Sequence, residues 1–280
     1  MAQSLKGRTV VITGASMGVG AATAKAFGKG EANLVLIARG RNGLEALAET
    51  LGNRERVLIA PLDVTDAAGF DKALKDAAER FGSIDILINN AGFHARGTVE
   101  SVEPEDLGRM VDVNLKAPIL LTRMALPYLR SSKLPAVINV ASLAGRAPIP
   151  GSATYSATKF GLRAFGFALA EELRGSPVRI ACVSPGPVDT GFIMDDIDTV
   201  TDLTFSQPLS TAEEVASVIV ELVFNRKPEQ SMPAFSGLLT TASYLFPAAG
   251  RALRPMLERK GKKVKARLKQ EQQGRRQIKP

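Results

Sequence analysis

Short apolar runs alternate with amphipathic stretches along most of this chain, and that rhythm restricts it to layered helix–sheet folds. Residues 9–13, 33–38, 57–60, 84–89, 136–141 and 178–184 are rich in Val, Ile and Leu and too short for buried helices. Such runs read as parallel strands covered on both faces, and residues 231–235 read as a last edge strand. Between them the period changes. Phe70, Ala73, Leu74, Ala77, Ala78 and Phe81 fall at offsets 0, 3, 4, 7, 8 and 11, one face of a helix. Val215, Val218, Ile219, Leu222 and Val223 repeat the pattern, and Thr211 with Glu214 forms a capping box ahead of them. Repeated strand–helix units joined by right-handed crossovers imply an α/β, Rossmann-type doubly wound parallel sheet with helices on both faces.

With 280 residues the chain is long enough for one large domain, and no repeat or linker divides it. The sheet domain is expected to occupy residues 1–235. An apolar-then-basic helical extension follows at 236–269, and the basic segment 270–280 is expected to be disordered. The net charge of +8 is unevenly placed. Residues 251–280 hold twelve Lys or Arg against Glu258 and Glu271, a net of +10, which leaves −2 on the first 250 residues. The high pI therefore describes the tail. A lone cysteine, Cys182, excludes an internal disulfide and a cysteine-cluster metal site. The start of the chain lacks the order of a secretory signal, so a cytoplasmic location is expected.

Gly14, Gly18 and Gly20 come directly after the first strand and before the helical run 21–27. Glycines there permit a tight turn and let backbone N–H groups approach a phosphate, while the helix N-terminus adds a favourable dipole. The spacing Gly-x3-Gly-x-Gly differs from the Gly-x-Gly-x2-Gly of two-domain dinucleotide enzymes. Downstream, Tyr155 and Lys159 are one helical turn apart and share a face. An ordinary tyrosine has a pKa of ~10. A neighbouring ammonium is expected to lower it toward the range useful for proton transfer.

With these motifs in order, the chain resembles the short-chain dehydrogenase/reductase family over roughly residues 5–235. Thr13 to Gly20 matches its cofactor loop, Asn89-Asn90-Ala91-Gly92 its fourth-strand motif, and Tyr155-x3-Lys159 its catalytic motif. Asn114, Ser142 and the run Pro185-Gly186-Pro187-Val188-Asp189-Thr190 fall where the family places its remaining functional positions. The resemblance implies strand order 3-2-1-4-5-6-7 and a catalytic tetrad of Asn114, Ser142, Tyr155 and Lys159. It implies cofactor contacts from Gly14, Ser16, Met17, Gly18, Val19 and Gly20 in the first turn. Asp63 and Val64 would meet the adenine, and Asn90, Ala91 and Gly92 the adenosine ribose. Pro185, Gly186, Val188 and Thr190 would hold the nicotinamide with Tyr155 and Lys159. Asn89 reads as a tie between strands. Ser142 and Tyr155 would bind the substrate oxygen, and Asn114 would join a water relay from Lys159. No metal is required.

The second strand ends Ala38-Arg39-Gly40-Arg41, with no acid before Glu45. A carboxylate there would accept the ribose 2′-hydroxyl of NAD and repel a 2′-phosphate, whereas a guanidinium binds that phosphate as a fork. NADP(H) is the expected cofactor, with Arg39 as its reader and Arg41 as a possible substitute. His94 is the only histidine. It is expected as a polar loop residue near the substrate cleft, since Tyr155 already supplies the proton chemistry.

The resulting expectation is an NADP-dependent oxidoreductase that interconverts a carbonyl and an alcohol. The alternative is a non-catalytic NADP(H)-sensing scaffold acting through its basic tail. Apolar residues between 189 and 210 suggest a lid over a hydrophobic, lipid-, isoprenoid- or steroid-like substrate. Family members assemble through two long helices, so a homodimer or homotetramer is expected. Residues 231–250 carry no charge, but only 13 residues separate Pro233 from Pro247. That is too short for ~30 Å of hydrocarbon at 1.5 Å per residue. Two readings of 236–269 stand: an anionic membrane surface is its partner, or it packs on the domain or on another subunit. Nucleic acid is not an expected partner, because no reading element accompanies the basic tail.

Overall fold

A computed structural model describes the backbone of residues 4–278 and side-chain surroundings through residue 272. Seven parallel strands form one sheet in the order β3-β2-β1-β4-β5-β6-β7. They are β1 (Thr9–Thr13), β2 (Asn33–Ala38), β3 (Val57–Pro61), β4 (Ile86–Asn89), β5 (Ala136–Val140), β6 (Arg179–Pro185) and β7 (Glu229–Met232). Ten helices connect or follow them: α1 (Gly18–Lys29), α2 (Arg41–Thr50), α3 (Ala67–Phe81), α4 (Pro104–Val111), α5 (Ala117–Arg130), α6 (Ala153–Glu172), α7 (Gly191–Met194), α8 (Ala212–Phe224), α9 (Ala234–Leu245) and α10 (Pro247–Ile278).

The two-residue period of a strand divides the core. Val10, Ile12, Leu34, Leu36, Ile86 and Ile88 pack on one face beneath Phe27 of α1, Leu44 of α2 and Ile219 of α8. Val11, Val35, Ile37 and Leu87 face the opposite way, against Phe70 and Leu74 of α3, Leu121 of α5 and Leu169 of α6. Phe27 and Phe70 are fully buried, each contributing roughly 1.5–3 kcal/mol through removal of apolar surface from water. The capping box at α8 is present in both directions: Thr211 Oγ1 accepts from Glu214 N and Glu214 Oε2 accepts from Thr211 N.

The last strand begins at Glu229, not at residue 231 where the sequence pattern places it. A glutamate in a half-buried strand defeats a hydropathy reading. Its carboxylate is held by Arg146 at 2.8 Å and Arg163 at 2.7 Å, and it accepts from Ser184 Oγ. This cluster joins β7 to the loop after β5 and to α6.

The C-terminal extension packs onto the domain. Arg146 donates to Gly237 O and Thr241 Oγ1 of α9, and the ring of Tyr244 lies 5.3 Å from that of Phe160 on α6. On α10, Val264 and Leu268 cover the small core of Ile193, Ile197, Val200 and Phe205. Lys265 donates to the carbonyls of Asp198 and Val200, and Lys269 pairs with Asp198. The backbone of α10 is helical to Ile278. Pairs such as Arg267 with Glu271 and the anchor to the 190–206 segment supply order that composition does not show. Positions 279 and 280 lie outside the described residues.

Candidate active site

Every connection at the C-terminal ends of β1, β4, β5 and β6 opens onto one cavity of about 1280 Å³. At β1 the chain turns through Gly14, whose φ is +66° and whose Cα lies against Ala91. Gly20, one turn into α1, packs so closely on the Gly14 carbonyl that an added Cβ would overlap it. The two positions bring helix and strand together where only hydrogens fit. Helix α1 starts at Gly18 with no acid in its first turn, and its preceding residue, Met17, makes no side-chain cap. Its first N–H groups thus remain available to an anion, as a diphosphate requires. Gly18 lies close against Thr190, so the glycine turn and the loop after β6 meet at the cavity.

Ser16, Met17, Val19 and Arg39 line the same side of this cavity. Arg39 is exposed and forms no ion pair among the described residues, whereas Arg41 is paired with Glu45. Asp63 and Val64, at the end of β3, also line it. Burial opposes the Asp63 charge, but donation from Thr65 N and Oγ1 and the Arg39 cation hold its pKa below the usual carboxylate value. Asp66, not Asp63, caps α3 by accepting from Gly69 N. Asn90 lines the cavity but spends its amide on the carbonyls of Thr13 and Gly14, fastening the turn. Ala91 and Gly92 continue the wall, while Asn89 ties strands by donating to Asn139 Oδ1 and Thr122 Oγ1.

Ser142 follows β5, and Tyr155 and Lys159 project from α6 into the cavity. Lys159 is 3% exposed, and its Nζ donates to Val140 O at 2.8 Å and lies 5.7 Å from the Tyr155 ring centroid. Burial drives the Lys159 pKa down to about 8. Burial also pushes Tyr155 above its ordinary value, opposed by the Ser142 hydroxyl and the Arg96 cation. The expected acidification of the phenol by Lys159 is therefore not a property of the protein alone. The ammonium points at a carbonyl, and desolvation outweighs the charges near the phenol.

Gly20 and Asn114 are the two predicted site residues that do not line the cavity. Asn114 lies in a π-helical turn, 112–116, where its amide is bound to both backbone groups of Phe93 at 2.7 Å. A Cβ on Gly92 would sit 3.7 Å from Asn114 Oδ1 and 3.8 Å from Lys159 Nζ, so the glycine keeps the space between the two open. Pro185, Gly186, Val188 and Thr190 also line the cavity, with Gly186 N bonded to Met232 O.

Three contributors lie outside the sequence motifs. His94 stacks on Tyr155 with ring centroids 4.0 Å apart, and burial with the charges of Arg96 and Lys159 lowers its pKa to about 3. It is a neutral ring through the physiological range, not a second acid. Arg96 lies beside it. The third is the C-terminal extension: Leu239, Phe246, Leu253 and Met256 line the cavity while remaining substantially exposed, so they form an apolar rim. Only the lone histidine offered a signal; the other two arise from long-range packing.

The arrangement can hold a dinucleotide along the glycine turn and a carbonyl oxygen near Ser142 and Tyr155. The short chain dehydrogenase family matches residues 8–200. The chain is 33% identical to ketoacyl reductase HetN of a Nostoc species, over 81% of this chain and 78% of that protein. It is 34% identical to the NADP-dependent 3-hydroxy acid dehydrogenase of Schizosaccharomyces pombe, over 80% and 89%. A solved structure of 3-ketoacyl-(acyl-carrier-protein) reductase from Brucella melitensis complexed with NADH superposes with a TM-score of 0.74 at 30% identity, covering 81% of this chain and 97% of that one. Fold, motif order and similarity agree: the chain belongs to the short-chain dehydrogenase family and is an oxidoreductase of that kind.

Proposed function

We propose that this protein is an NADP(H)-dependent oxidoreductase that interconverts a carbonyl and an alcohol on a hydrophobic substrate, with Tyr155 as general acid and base. The observation that carries the reading is the convergence of Ser142, Tyr155 and Lys159 on the cavity that also contains the glycine turn and the start of α1. A nicotinamide cofactor held in this cavity would supply the hydride for the carbonyl carbon. Tyr155, kept protonated by its burial, gives its proton to the carbonyl oxygen, and Ser142 orients that oxygen. Lys159 would hold the nicotinamide ribose, and with Asn114 it flanks the space beside Gly92 through which a replacement proton would return. In the reverse direction Tyr155 accepts the alcohol proton. Arg39 favours NADP(H), because it forms no ion pair among the described residues and no acid follows β2 before Glu45 to take the 2′-hydroxyl.

The substrate side supports an apolar ligand. Leu143, Ile149, Leu203 and the rim from α9 and α10 are mostly hydrocarbon, and Phe235, Leu238 and Leu245 extend the exposed apolar surface beyond the rim. Exposed cations on α10 adjoin it, which favours peripheral contact of residues 236–269 with an anionic bilayer while the helices stay packed on the domain. Among the described residues no helix is long and apolar enough to cross a membrane. A homodimer or homotetramer belongs to the same reading. The decisive screen measures NADPH and NADH consumption over aldehydes, ketones and lipid-like carbonyls, with product identification. Turnover of an apolar carbonyl with a lower KM for NADPH is expected. No turnover of any carbonyl, or a lower KM for NADH, contradicts the respective part. Flotation with anionic but not neutral vesicles is expected, and no flotation with either removes the bilayer contact.

A further inference from the structure

Arg96 is a cation placed where the substrate, not the cofactor, belongs. It follows β4 in the loop that carries His94, and both side chains line the cavity next to Tyr155 and Phe192. The Arg96 side chain is 8% exposed. Its guanidinium lies over the Phe192 ring at 5.4 Å and donates once to protein, from Nη2 to Phe192 O at 2.5 Å. Asp196 is its only ion-pair partner among the described residues, at 3.6 Å, and that carboxylate is 68% exposed. Asp195, Lys159 and the neutral His94 also line the cavity. The charge is felt by both His94 and Tyr155, so it lies near the reacting centre. A guanidinium has five N–H donors. One meets Phe192 O, and among the described residues neither Nε nor Nη1 of Arg96 is sealed without a partner, so this cavity-lining group has donors left to offer.

A neutral, wholly apolar substrate would cover this cation without giving it a partner, at a desolvation cost. A substrate with an oxyanion would instead complete a fork. Resting on the oxidoreductase reading above, we infer that Arg96 forms an oxyanion subsite and that the substrate is an amphipathic oxo acid or its hydroxy acid. Its carboxylate meets Arg96, its reacting carbonyl meets Ser142 and Tyr155, and its apolar chain runs toward the rim of Leu239, Phe246 and Leu253. The bulk of the cavity fits the chain, and the cation fixes which end enters first.

The test compares a medium-chain 3-oxo acid with its methyl ester, in wild type, Arg96→Met and Arg96→Lys. The acid should be preferred in kcat/KM by about tenfold or more, as a charge-assisted hydrogen bond provides. The preference should collapse in Arg96→Met and survive in part in Arg96→Lys. The ratio of two substrates on one variant cancels general damage from the lost contact to Phe192. Calorimetry of decanoate and decanol with the NADP-loaded protein gives a readout independent of turnover: decanoate should bind more tightly, and the difference should vanish in Arg96→Met. Equal turnover of acid and ester leaves the oxidoreductase reading intact and overturns the subsite, as does equal binding, or no binding, of decanoate and decanol. A decanoate preference that needs Arg96, with no carbonyl turned over, upholds the subsite and counts against the oxidoreductase reading.

Discussion

At the residue scale, proton transfer turns on two groups that burial pushes in opposite directions. Tyr155 is raised and Lys159 lowered to about 8, so in the cofactor-free protein the phenol stays protonated through neutrality. The chain has three tyrosines and no tryptophan, which makes phenolate absorbance readable. The difference between wild type and Tyr155→Phe should show no phenolate below pH ~10, the ordinary tyrosine range. A titration near neutrality without cofactor would mean that Lys159 acidifies the phenol unaided. Cofactor choice is a second residue-scale matter. Replacing Arg39 by Asp should shift the ratio of KM for NADPH to that for NADH toward NADH by about tenfold or more, from one lost charge-assisted hydrogen bond. An unchanged ratio would transfer the role to another group. The meeting of Ser142, Tyr155 and Lys159 at one cavity was legible in the sequence because the motifs they match fix residue type and order. Arg96 was not, since a single loop arginine carries no period and acquires meaning only when Phe192 and Tyr155 fold against it.

Among the elements, the ionic cluster at Glu229 links the parts that must stay in register. Its carboxylate is reached by Arg146 from the loop after Ser142 and by Arg163 from α6, and Arg146 also holds α9. Burial raises its pKa, but donation from Arg163, Ser184 and Arg146 wins and holds it below the usual value. The sign follows from linkage: a lowered carboxylate pKa stabilises the fold above the unfolded-state value and loses that contribution as pH falls through the folded one. Glu229→Gln should cost about 3–5 kcal/mol near neutrality by leaving two guanidinium groups without a countercharge. It should also flatten the acid limb of the stability curve, measured by urea unfolding from acid to neutral pH. A loss under about 1 kcal/mol would mark the cluster as no more than a surface pair. The strands β1 and β2 were readable to the residue because continuous apolar runs are what a two-sided sheet demands. Strand β7 was displaced by two residues for the opposite reason, since its first residue is the charged Glu229.

For the whole molecule, the question is how a neutral sheet domain and a basic tail become one unit. Helix α10 lies against the 198–206 segment, and Gly261 approaches Asp202 O so closely that a methyl group has no room. Gly261→Ala should lift α10 from this segment, with a loss of about 1–3 kcal/mol. The measurement is thermal unfolding together with limited proteolysis, in which the C-terminal helix should be cut faster. Unchanged stability and cleavage would show that the helix is not seated there. The sequence made the apolar-then-basic order plain, but not its docking. The contacts are carbonyls of 198 and 200 and a four-residue apolar cluster, which have no signature in a helix of high charge.

The most direct test of the central claim is carbonyl reduction by wild type and Tyr155→Phe, followed by NADPH consumption, with NADPH affinity measured on the same preparations. The account predicts that the variant loses turnover by at least about a hundredfold, the scale of general acid–base catalysis, while binding NADPH with an affinity close to wild type. Turnover retained by the variant with the cofactor bound would contradict it.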